Sequence, residues 1–460
     1  MASLFTKPRL LLFALVWLSC AWFGSWALNP NNSTRMFAAI ALVEHHSAEI
    51  DEYRDLTIDK AEFGGHVYLD KAPGMTLLAL PATAIAERVS TKPPLPPTVW
   101  DKPFEQWVTV HLRLAVALVS ALLTALAAVA LYDLGLRTSG SAGGALFASL
   151  AFALGTPMWG WSTTLFGHAP VADLFVIAVW ALWRSDGRFR FAGIAGAALG
   201  LAVLIEFQAV LAGSVIALWG AFRLRKPRPL IAAALAGAAV LLVPLIGYNM
   251  LAFGTPFRLG YQGVSGFPGM NEGLFGLTSP KFAALSEIIV GLRRGILWVA
   301  PVLLLTPFGL WQLARRERGL ALTAASAAVV VLLVNAAYVY WDGGHSTGPR
   351  HSVPAIGLLA IGLATFWANR IYWWERAFAA AILCVSIAIN LAIAAANITA
   401  PDTYAFPLWD PILKTDWAGG TLRTLPSDFL GWTPFAGVAL YLVLAIPLAV
   451  LLVRAQPKEA

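Results

Sequence analysis

Residues 229–253 read PLIAAALAGAAVLLVPLIGYNMLAF, a run of 25 positions without one charged side chain. A helix needs about 20 apolar residues to cross the hydrocarbon of a bilayer, so this run is long enough to span a membrane. A strand of a membrane barrel would instead alternate apolar with polar residues. Neither this run nor residues 377–397 alternates, so the pattern predicts membrane-spanning helices.

The composition of the whole chain leads to the same class of protein. Of its 460 residues 58% are hydrophobic and 12% are charged, and the mean hydropathy is +0.70. Such a chain has too few polar side chains to cover a globule in water, so we expect membrane lipids to surround it. The formal net charge is +7, but the basic residues do not cluster in a soluble region, and no nucleic-acid partner is expected. Cys20 and Cys384 both lie in apolar segments, and we expect neither a disulfide nor a zinc site.

We predict an all-α polytopic membrane protein, a single transmembrane domain over residues 1–460 with about twelve spanning helices and both termini in the cytoplasm. The predicted spans are 10–28, 106–132, 142–155, 164–184, 192–206, 207–222, 229–253, 295–314, 320–340, 352–368, 377–397 and 433–454. The connections then placed in the cytoplasm hold 17 basic and 5 acidic residues, whereas the rest of the chain holds 15 of the 32 basic and 20 of the 25 acidic residues. This asymmetry is what the positive-inside rule expects.

On this topology, three long loops face the non-cytoplasmic side: 29–105, 254–294 and 398–432. Residues 74–88 are apolar, but a span there would place the later basic loops outside, so we predict that this segment lies on the outer surface as an interfacial helix. Residues 192–222 have basic loops at both ends and therefore form a hairpin whose tip, at Glu206, faces outward. We expect function on this side, because loops held by a rigid scaffold carry most functional residues.

The first outer loop holds the densest group of ionisable side chains in the chain, in the stretch NNSTRMFAAIALVEHHSAEIDEYRDLTIDKAEFGGHVYLDKAPG, residues 31–74. The candidate catalytic residues there are Asp51, Asp59 and Asp70, and the candidate substrate-binding residues are Lys71, Arg35 and His66. For any single member the alternative is a solvated surface with incidental ion pairs. As a group they favour a site, because a solvated loop does not need its histidines, two Asp-Lys pairs and an Ala-Pro-Gly turn beside the membrane.

Three further outward positions are candidate substrate-binding residues. The loop YVYWDGGHSTGPRHSVP, residues 338–354, brings Arg350 to the start of a helix, where an arginine can hold a phosphate with two parallel donors. The alternative is an arginine that only anchors the helix at the membrane interface. Glu206 and His168, the latter in WGWSTTLFGHAP, lie at the edges of apolar runs, where a cavity or a partner is expected. A structural pair is the alternative for each.

The donor is expected to be bound to the membrane. The chain has neither a GxGxxG motif nor a P-loop, and no soluble region large enough for a nucleotide-sugar domain. If a sugar is handled on the outer face, a polyprenyl phosphate can carry it there. The leaving group is then a phosphate monoester, whose charge lysine and arginine can stabilise, so neither a metal nor another cofactor is required.

Several segments resemble the GT-C superfamily of membrane glycosyltransferases, in particular bacterial proteins similar to protein O-mannosyltransferases and lipid A aminoarabinose transferases. The segments that carry this resemblance are STRMFAAIALVEHH (33–46), GGHVYLDKAPGMTLLALPA (64–82) and the helical hairpin 111–162, while YNMLAFGTPF (248–257) and WDGGHSTGPR (341–350) look like elements of bacterial relatives. The resemblance implies a polyprenyl-phosphate-sugar donor and places the family's lysine near the donor phosphate on Lys71. The family's catalytic aspartate would fall within residues 31–35, which contain no acid.

The general base must then be another carboxylate, or the chain has a different activity. Asp70 adjoins Lys71 and is suited to orienting it. We favour Asp51, because its neighbours Ile50 and Tyr53 allow it to fold back onto the membrane surface, where reduced solvation would raise its basicity. Asp59 comes next, although a pair with Lys60 would lower its basicity. Glu206 is the third candidate.

The sequence thus predicts an inverting glycosyltransferase that moves a sugar from a polyprenyl-phosphate carrier to a hydroxyl of a lipid, glycan or protein acceptor. We place it in the bacterial inner membrane, with its site facing the periplasm or exterior. The alternatives are a flippase for lipid-linked sugars or another transporter, and a polymerase or ligase that uses diphosphate-linked sugars. A transporter often has broken helices at the midplane and repeated halves. Here no internal repeat is evident, and the ionisable groups gather in the outer loops.

Overall fold

The computed structural model of the chain describes residues 6–24, 28–186, 188–224 and 226–457. Residues 25–27 of the first predicted span lie outside them, as do Arg225, Lys458 and Glu459, three of the charges counted as cytoplasmic. The described helices are α1 (Lys7–Trp22), α2 (Pro30–Glu44), α3 (Gly74–Val89), α4 (Lys102–Ala115), α5 (Ala121–Ser139), α6 (Ala142–Leu154), α7 (Met158–Trp161), α8 (His168–Ser185), α9 (Phe189–Ile205), α10 (Ala209–Leu224), α11 (Pro227–Phe253), α12 (Phe282–Val290), α13 (Ile296–Val299), α14 (Thr306–Ala314), α15 (Arg318–Ala337), α16 (Val353–Ala368), α17 (Trp373–Ala396), α18 (Leu425–Phe429) and α19 (Pro434–Arg454).

Shorter elements connect these helices. Two segments are π-helical, Val116–Ser120 and Leu408–Trp417, and the first of them joins α4 and α5. The 3-10 helices are Asp51–Tyr53, Gly260–Gly263, Pro268–Asn271, Pro301–Leu305 and Arg350–Ser352. Within the described ranges, the two short strands β1 (Ala61–Phe63) and β2 (His66–Tyr68) form an antiparallel hairpin.

Six helices in the described part of the chain are long and apolar enough to cross a membrane: Lys102–Ser139, Pro227–Phe253, Arg318–Ala337, Arg350–Ala368, Trp373–Ala396 and Pro434–Arg454. Each overlaps a predicted span. Four shorter apolar helices, Ala142–Leu154, Phe189–Ile205, Ala209–Leu224 and Pro301–Ala314, overlap four more. The chain is therefore a polytopic, all-α membrane protein, as the sequence predicted, while the number of spans stays a prediction.

Two helices in the structure differ from the spans that the sequence predicts. The predicted helix 295–314 is broken into α13, a 3-10 segment and α14, because Pro301 and Pro307 lack the N–H that a continuous helix needs. The predicted helix 164–184 starts only at His168. The residues before it form a turn, in which the N–H of Leu165 donates to Oδ1 of Asn32 over 2.9 Å. This break places the His168 ring at the N-terminal end of α8, beside the first outer loop.

The first outer loop folds over one end of the bundle. Helix α3 covers the predicted interfacial segment, and its Thr76 hydroxyl donates to the carbonyl of Arg35 on α2 over 3.0 Å. The start of α3 meets the end of α9, because a Cβ added to Gly74 would lie 2.6 Å from the carbonyl oxygen of Leu204. That close approach brings the residues just before α3 next to the tip of the α9–α10 hairpin. Whether α3 lies in the membrane surface stays a prediction.

A second outer segment, residues 254–281, closes over the first. The N–H of Ser265 donates to the carbonyl of Lys60 over 3.2 Å, which joins the segment to the β-hairpin. Gly260 touches the backbone between Leu69 and Asp70, where an added Cβ would lie 2.6 Å from the Leu69 carbonyl oxygen. Asp59 and Asp70 are therefore buried, whereas the turn of the β-hairpin, from Gly64 to His66, is exposed.

Candidate functional site

Lys71 lies at the centre of a buried group of opposite charges. Its Nζ is 3.2 Å from Oδ2 of Asp59, and it donates a short hydrogen bond to Oδ2 of Asp70. The hairpin explains this arrangement: Gly64 and Gly65, with φ of 60° and 89°, reverse the chain so that the residues after β2 return beside those before β1. An ammonium has three N–H donors, so one remains for a ligand.

Burial and charge set the protonation of this group. Burial raises the pKa of Asp70; the Lys71 ammonium opposes that shift, and the Asp59 carboxylate adds to it. Burial disfavours the ammonium of Lys71, but the charges of Asp59 and Asp70 outweigh that effect and raise the pKa of Lys71. Lys71 is therefore a cation at neutral pH. Asp70 is more basic than an ordinary aspartate, and its buried Oδ1 has no partner among the described residues.

Arg35 joins the first outer loop to the tip of the α9–α10 hairpin. Its Nη2 donates to Oε1 of Glu206 over 3.0 Å, and its Nε donates to Oδ1 of Asn31 over 3.0 Å. Arg35 is only 1% exposed, and its Nη1 finds no partner in the described chain. Glu206 packs against Gly167, where an added Cβ would lie 2.3 Å from Oε1. The pair therefore lies directly beside His168.

Arg350 and two histidines complete the group. The guanidinium carbon of Arg350 lies 5.2 Å from the centre of the Phe166 ring, and within the described ranges its side chain makes no ion pair or hydrogen bond. The rings of His351 and His168 meet edge to face, with centroids 5.0 Å apart. The charges of Arg350 and Lys71 act on both rings. Residues from four distant parts of the chain thus form one polar chamber, defined by Arg35, Asp59, Asp70, Lys71, His168, Glu206, Arg350 and His351.

A narrow apolar crevice of about 20 Å³ opens beside this chamber, between α8, α10, α15 and the start of α16. Most of its lining is apolar: Val171, Phe175, Ala209, Ala212, Val330, Val331, Val334 and Pro354. Glu206, Gln208 and His351 form its polar end. The crevice and the chamber share Glu206 and His351, so the apolar side chains of the crevice lead directly to the charged side chains of the chamber.

The structure brings seven of the nine sequence candidates into the chamber and leaves two outside it. Asp51 and His66 bind each other on the surface of the first loop, with 2.6 Å between Oδ2 and Nδ1. The expectation that low solvation raises the basicity of Asp51 is wrong. Partial burial does act in that direction, but hydrogen bonds from His66, the Val67 N–H and Arg54 outweigh it and lower the pKa of Asp51. Its side chain is 37% exposed.

The expected pair of Asp59 with Lys60 is also different in the structure. Asp59 binds Lys71, whereas Nζ of Lys60 donates to the carbonyl of Arg54 over 2.8 Å. Adjacent residues in an extended segment point to opposite sides, so they are poorly placed to pair. The pairing with Lys71 depends on the hairpin, which sequence reasoning did not detect.

Three residues of the chamber or its walls were missed. His351 follows Arg350 directly, and its position in GPRHSVP was the one available signal. Tyr261 belongs to the outer segment 254–281, and burial and the charge of Glu206 raise its pKa. Tyr338 packs edge to face on His351, with centroids 5.4 Å apart. Nothing in the sequence around either tyrosine marks it.

Metal-binding geometry occurs elsewhere in the first loop. Among the described residues, two groups of three side chains could each surround an ion: Glu44, His45 and Glu52, and Glu49, Asp51 and His66. The ammonium of Lys92 already occupies the first group, 2.7 Å from Oε2 of Glu44. The second is exposed and includes the Asp51–His66 pair.

The comparisons with known proteins bear on the fold. No protein-family model matches the chain, and no curated protein matches it. Solved structures do. ArnT from Cupriavidus metallidurans in the apo state is 14% identical over 97% of this chain and 77% of its own, with a TM-score of 0.50. The same protein bound to undecaprenyl phosphate is 14% identical over 97% of this chain and 76% of its own, with a TM-score of 0.48. Archaeal oligosaccharyltransferase AglB from Archaeoglobus fulgidus is 13% identical over 86% of this chain and 57% of its own, with a TM-score of 0.44. That structure is a complex with an inhibitory peptide and a dolichol-phosphate. At these identities the likeness concerns the fold alone, and the chain has a GT-C-like fold.

Proposed function

We propose that the chain transfers a sugar from a polyprenyl-phosphate carrier to an acceptor hydroxyl. The observation that carries this proposal is the apolar crevice that ends at a chamber containing Lys71 and Arg350, whose side chain has no ion pair or hydrogen bond to any described residue. A polyprenyl phosphate has the matching form, because it joins a long apolar chain to one anionic head. The GT-C-like fold is compatible with this reaction and does not by itself establish it.

The cations hold the phosphate. Arg350 offers a planar fork that can bind two phosphate oxygens, and Lys71 keeps one N–H free beyond its bonds to Asp59 and Asp70. Charge develops on the phosphate as the bond to the sugar breaks, and fixed cations in a site closed to water stabilise that charge strongly. No step of this scheme needs a metal.

Asp70 is the base in this scheme, in place of Asp51. The acceptor oxygen attacks the anomeric carbon from the face opposite the phosphate, the bond from that carbon to the phosphate oxygen breaks, and its electron pair leaves with the phosphate. The acceptor proton passes to Oδ1 of Asp70, which has no partner in the described structure. A carboxylate with a raised pKa suits this role, since a base works best when its pKa approaches the working pH.

The site is proposed to face the outer side of a bacterial inner membrane. Helix α8 begins at His168 in the chamber and ends near Arg184, which binds Asp133 over 3.1 Å together with Arg137 and Arg9. At 1.5 Å per residue, the two ends of α8 are about 24 Å apart, close to the thickness of the hydrocarbon layer. By the positive-inside rule, the arginine cluster supports a cytoplasmic position for this end of α8, and the chamber is then proposed to lie at the opposite face.

The test uses the purified full chain in lipid nanodiscs with a panel of labelled polyprenyl-phosphate sugars. Release of free polyprenyl phosphate with one of these sugars, in the presence of an extract that contains acceptors, supports the proposal. A flippase gives a different result, because it would move the labelled lipid across a liposome bilayer without releasing the phosphate. Turnover only with diphosphate-linked sugars would indicate a polymerase or ligase instead.

A further inference from the structure

Arg294, in the turn between α12 and α13, is one of the most deeply buried cations of the chain, at 0% exposure. Its guanidinium donates only to backbone carbonyls. Nε donates to Asp342 over 2.6 Å, Nη1 to Ser346 over 2.7 Å and Nη2 to Gly344 over 2.5 Å. A further bond runs from Nη1 to Arg293 over 3.2 Å. One side chain therefore closes the loop 342–348 on its inner side.

This loop leads directly to Arg350. Gly343, Gly344 and Gly348 have φ of 75°, 58° and 76°, in the left-handed region that glycine tolerates. Gly343 lies against the Arg350 side chain, and a Cβ there would be 3.0 Å from its Nε. On its other side, the loop is held by residues 398–400, through hydrogen bonds from the N–H groups of Ser346 and Thr347. The conformation of the loop thus fixes the position of the Arg350 backbone, from which its side chain extends.

We propose that Arg294 is a positioning residue that holds loop 342–348 and so orients Arg350 toward the phosphate of the donor lipid. This inference rests on the proposed function. Arg294 itself touches no substrate in this scheme, and it acts through the three carbonyls and the short chain that connects them to Arg350.

Arginine suits this role better than lysine. The three loop carbonyls surround a planar group with five donors, whereas a lysine has three donors on a single nitrogen. Burial, together with the charge of Arg293, lowers the pKa of Arg294 to about 10, so the guanidinium still carries its charge at neutral pH. That buried charge lies close enough to act on Arg350 and adds to the positive potential that an anionic head group meets.

The neighbouring residue provides a matched control. Arg293 binds Oδ2 of Asp342 over 2.7 Å and is 33% exposed, so it touches the same loop from the solvent side. Arg293→Ala removes a partly exposed ion pair and the contact of the guanidinium with the Trp341 ring, 5.7 Å away, but none of the inner bonds to the loop carbonyls. Arg294→Ala removes the three inner bonds. Arg294→Lys keeps a charge and most of the volume, which guards against a variant that fails to fold.

The experiment compares the unaltered full chain with these three variants in nanodiscs. It measures deuterium exchange of the peptide 342–352, and kcat and KM for whichever polyprenyl-phosphate sugar of the panel the unaltered chain turns over. We expect Arg294→Ala and Arg294→Lys to exchange faster in this peptide and to raise the donor KM at least about tenfold, the scale of one lost charge-assisted hydrogen bond. Arg293→Ala should stay close to the unaltered protein. Added methylguanidinium should fill the space left in Arg294→Ala and lower its donor KM, which a general folding defect would not show.

Each contrary result has a distinct meaning. Unchanged exchange, or faster exchange with an unchanged donor KM, overturns the inference and leaves the proposed function intact. An equal effect of Arg293→Ala also overturns it, because the inner bonds would then have no special role. If the unaltered protein turns over no polyprenyl-phosphate sugar, the proposed function fails and the inference fails with it.

Discussion

Nζ of Lys71 lies 3.2 Å from Oδ2 of Asp59, and this ion pair ties the two sides of the first-loop hairpin together inside the chamber. The pair also acts on the proposed base. Asp59 is one of the charges that raise the pKa of Asp70, and it shares the ammonium that Asp70 binds.

Replacing Asp59 by asparagine should therefore change the pH dependence of the reaction. The acid limb of kcat/KM reports protonation of the free base, and Asp70 loses its proton as pH rises through its raised pKa. Asp59→Asn removes a negative charge beside Asp70. The Lys71 ammonium then interacts with the carboxylate of Asp70 alone, so the pKa of Asp70 falls. The acid limb should move to lower pH, while the rate on the plateau stays measurable. A loss of rate at every pH would instead identify Asp59 as the base.

Asp70→Asn should remove the base itself. We expect turnover to fall by at least about 100-fold, the lower scale of general-base effects, with binding of the donor lipid nearly intact. The measurement is a turnover assay together with equilibrium binding of polyprenyl phosphate. Asp51→Asn is the matched control, because Asp51 is an aspartate of the same loop that binds His66 outside the chamber. A larger loss in Asp51→Asn than in Asp70→Asn would return the role to Asp51.

Arg350→Lys should lose activity although it keeps the positive charge. A lysine cannot provide the planar two-point contact with a phosphate, so the affinity for polyprenyl phosphate should fall by about tenfold or more, the scale of one charge-assisted hydrogen bond. Arg54→Lys is the control, since Arg54 belongs to the same outer face and is 41% exposed. Near-normal donor affinity in Arg350→Lys would mean that Arg350 only anchors its helix at the interface.

The sidedness of the chamber can be tested by labelling single cysteines in a chain that lacks Cys20 and Cys384. Leu95→Cys lies in the first loop at a position that is 43% exposed, and a membrane-impermeant maleimide should reach it from outside. Asp186→Cys lies at the other end of α8 and should react only after permeabilisation. Labelling of residue 95 from the cytoplasm would reverse the topology.

The sequence was informative wherever the membrane alone sets the structure. Apolar runs such as Pro227–Phe253 predict their helices directly, because the hydrocarbon layer demands a minimum apolar length. Prolines at 301 and 307 break another run, and their effect could have been anticipated from the missing N–H groups. The ionisable loop residues could be named as candidates from the sequence, since charge beside a membrane needs a reason, and their roles stay predictions.

Pairings between distant residues were not accessible in that way. Arg35 and Glu206 are 171 positions apart, and their contact depends on the packing of α3 against the end of α9. The pairing of Asp59 with Lys71 rather than with Lys60 depends on the two-residue turn of the β-hairpin. The proposed role of Arg294 depends on the path of loop 342–348, to which Arg294 does not belong. Local pattern carries no information about such long-range contacts.

Replacing Lys71 probes the proposed reaction at its main step, because the ammonium of Lys71 must stabilise the leaving phosphate. Lys60 is the matched control: it lies in the same hairpin region, and its side chain is 19% exposed against 18% for Lys71. The measurement is the rate at which polyprenyl phosphate is released, together with the amount released per sugar transferred, for Lys71→Met, Lys60→Met and the unaltered chain in nanodiscs. The account predicts one phosphate per sugar in the unaltered chain, a rate at least about 100-fold lower in Lys71→Met, and little change in Lys60→Met. Equal turnover by Lys71→Met and the unaltered chain would contradict it.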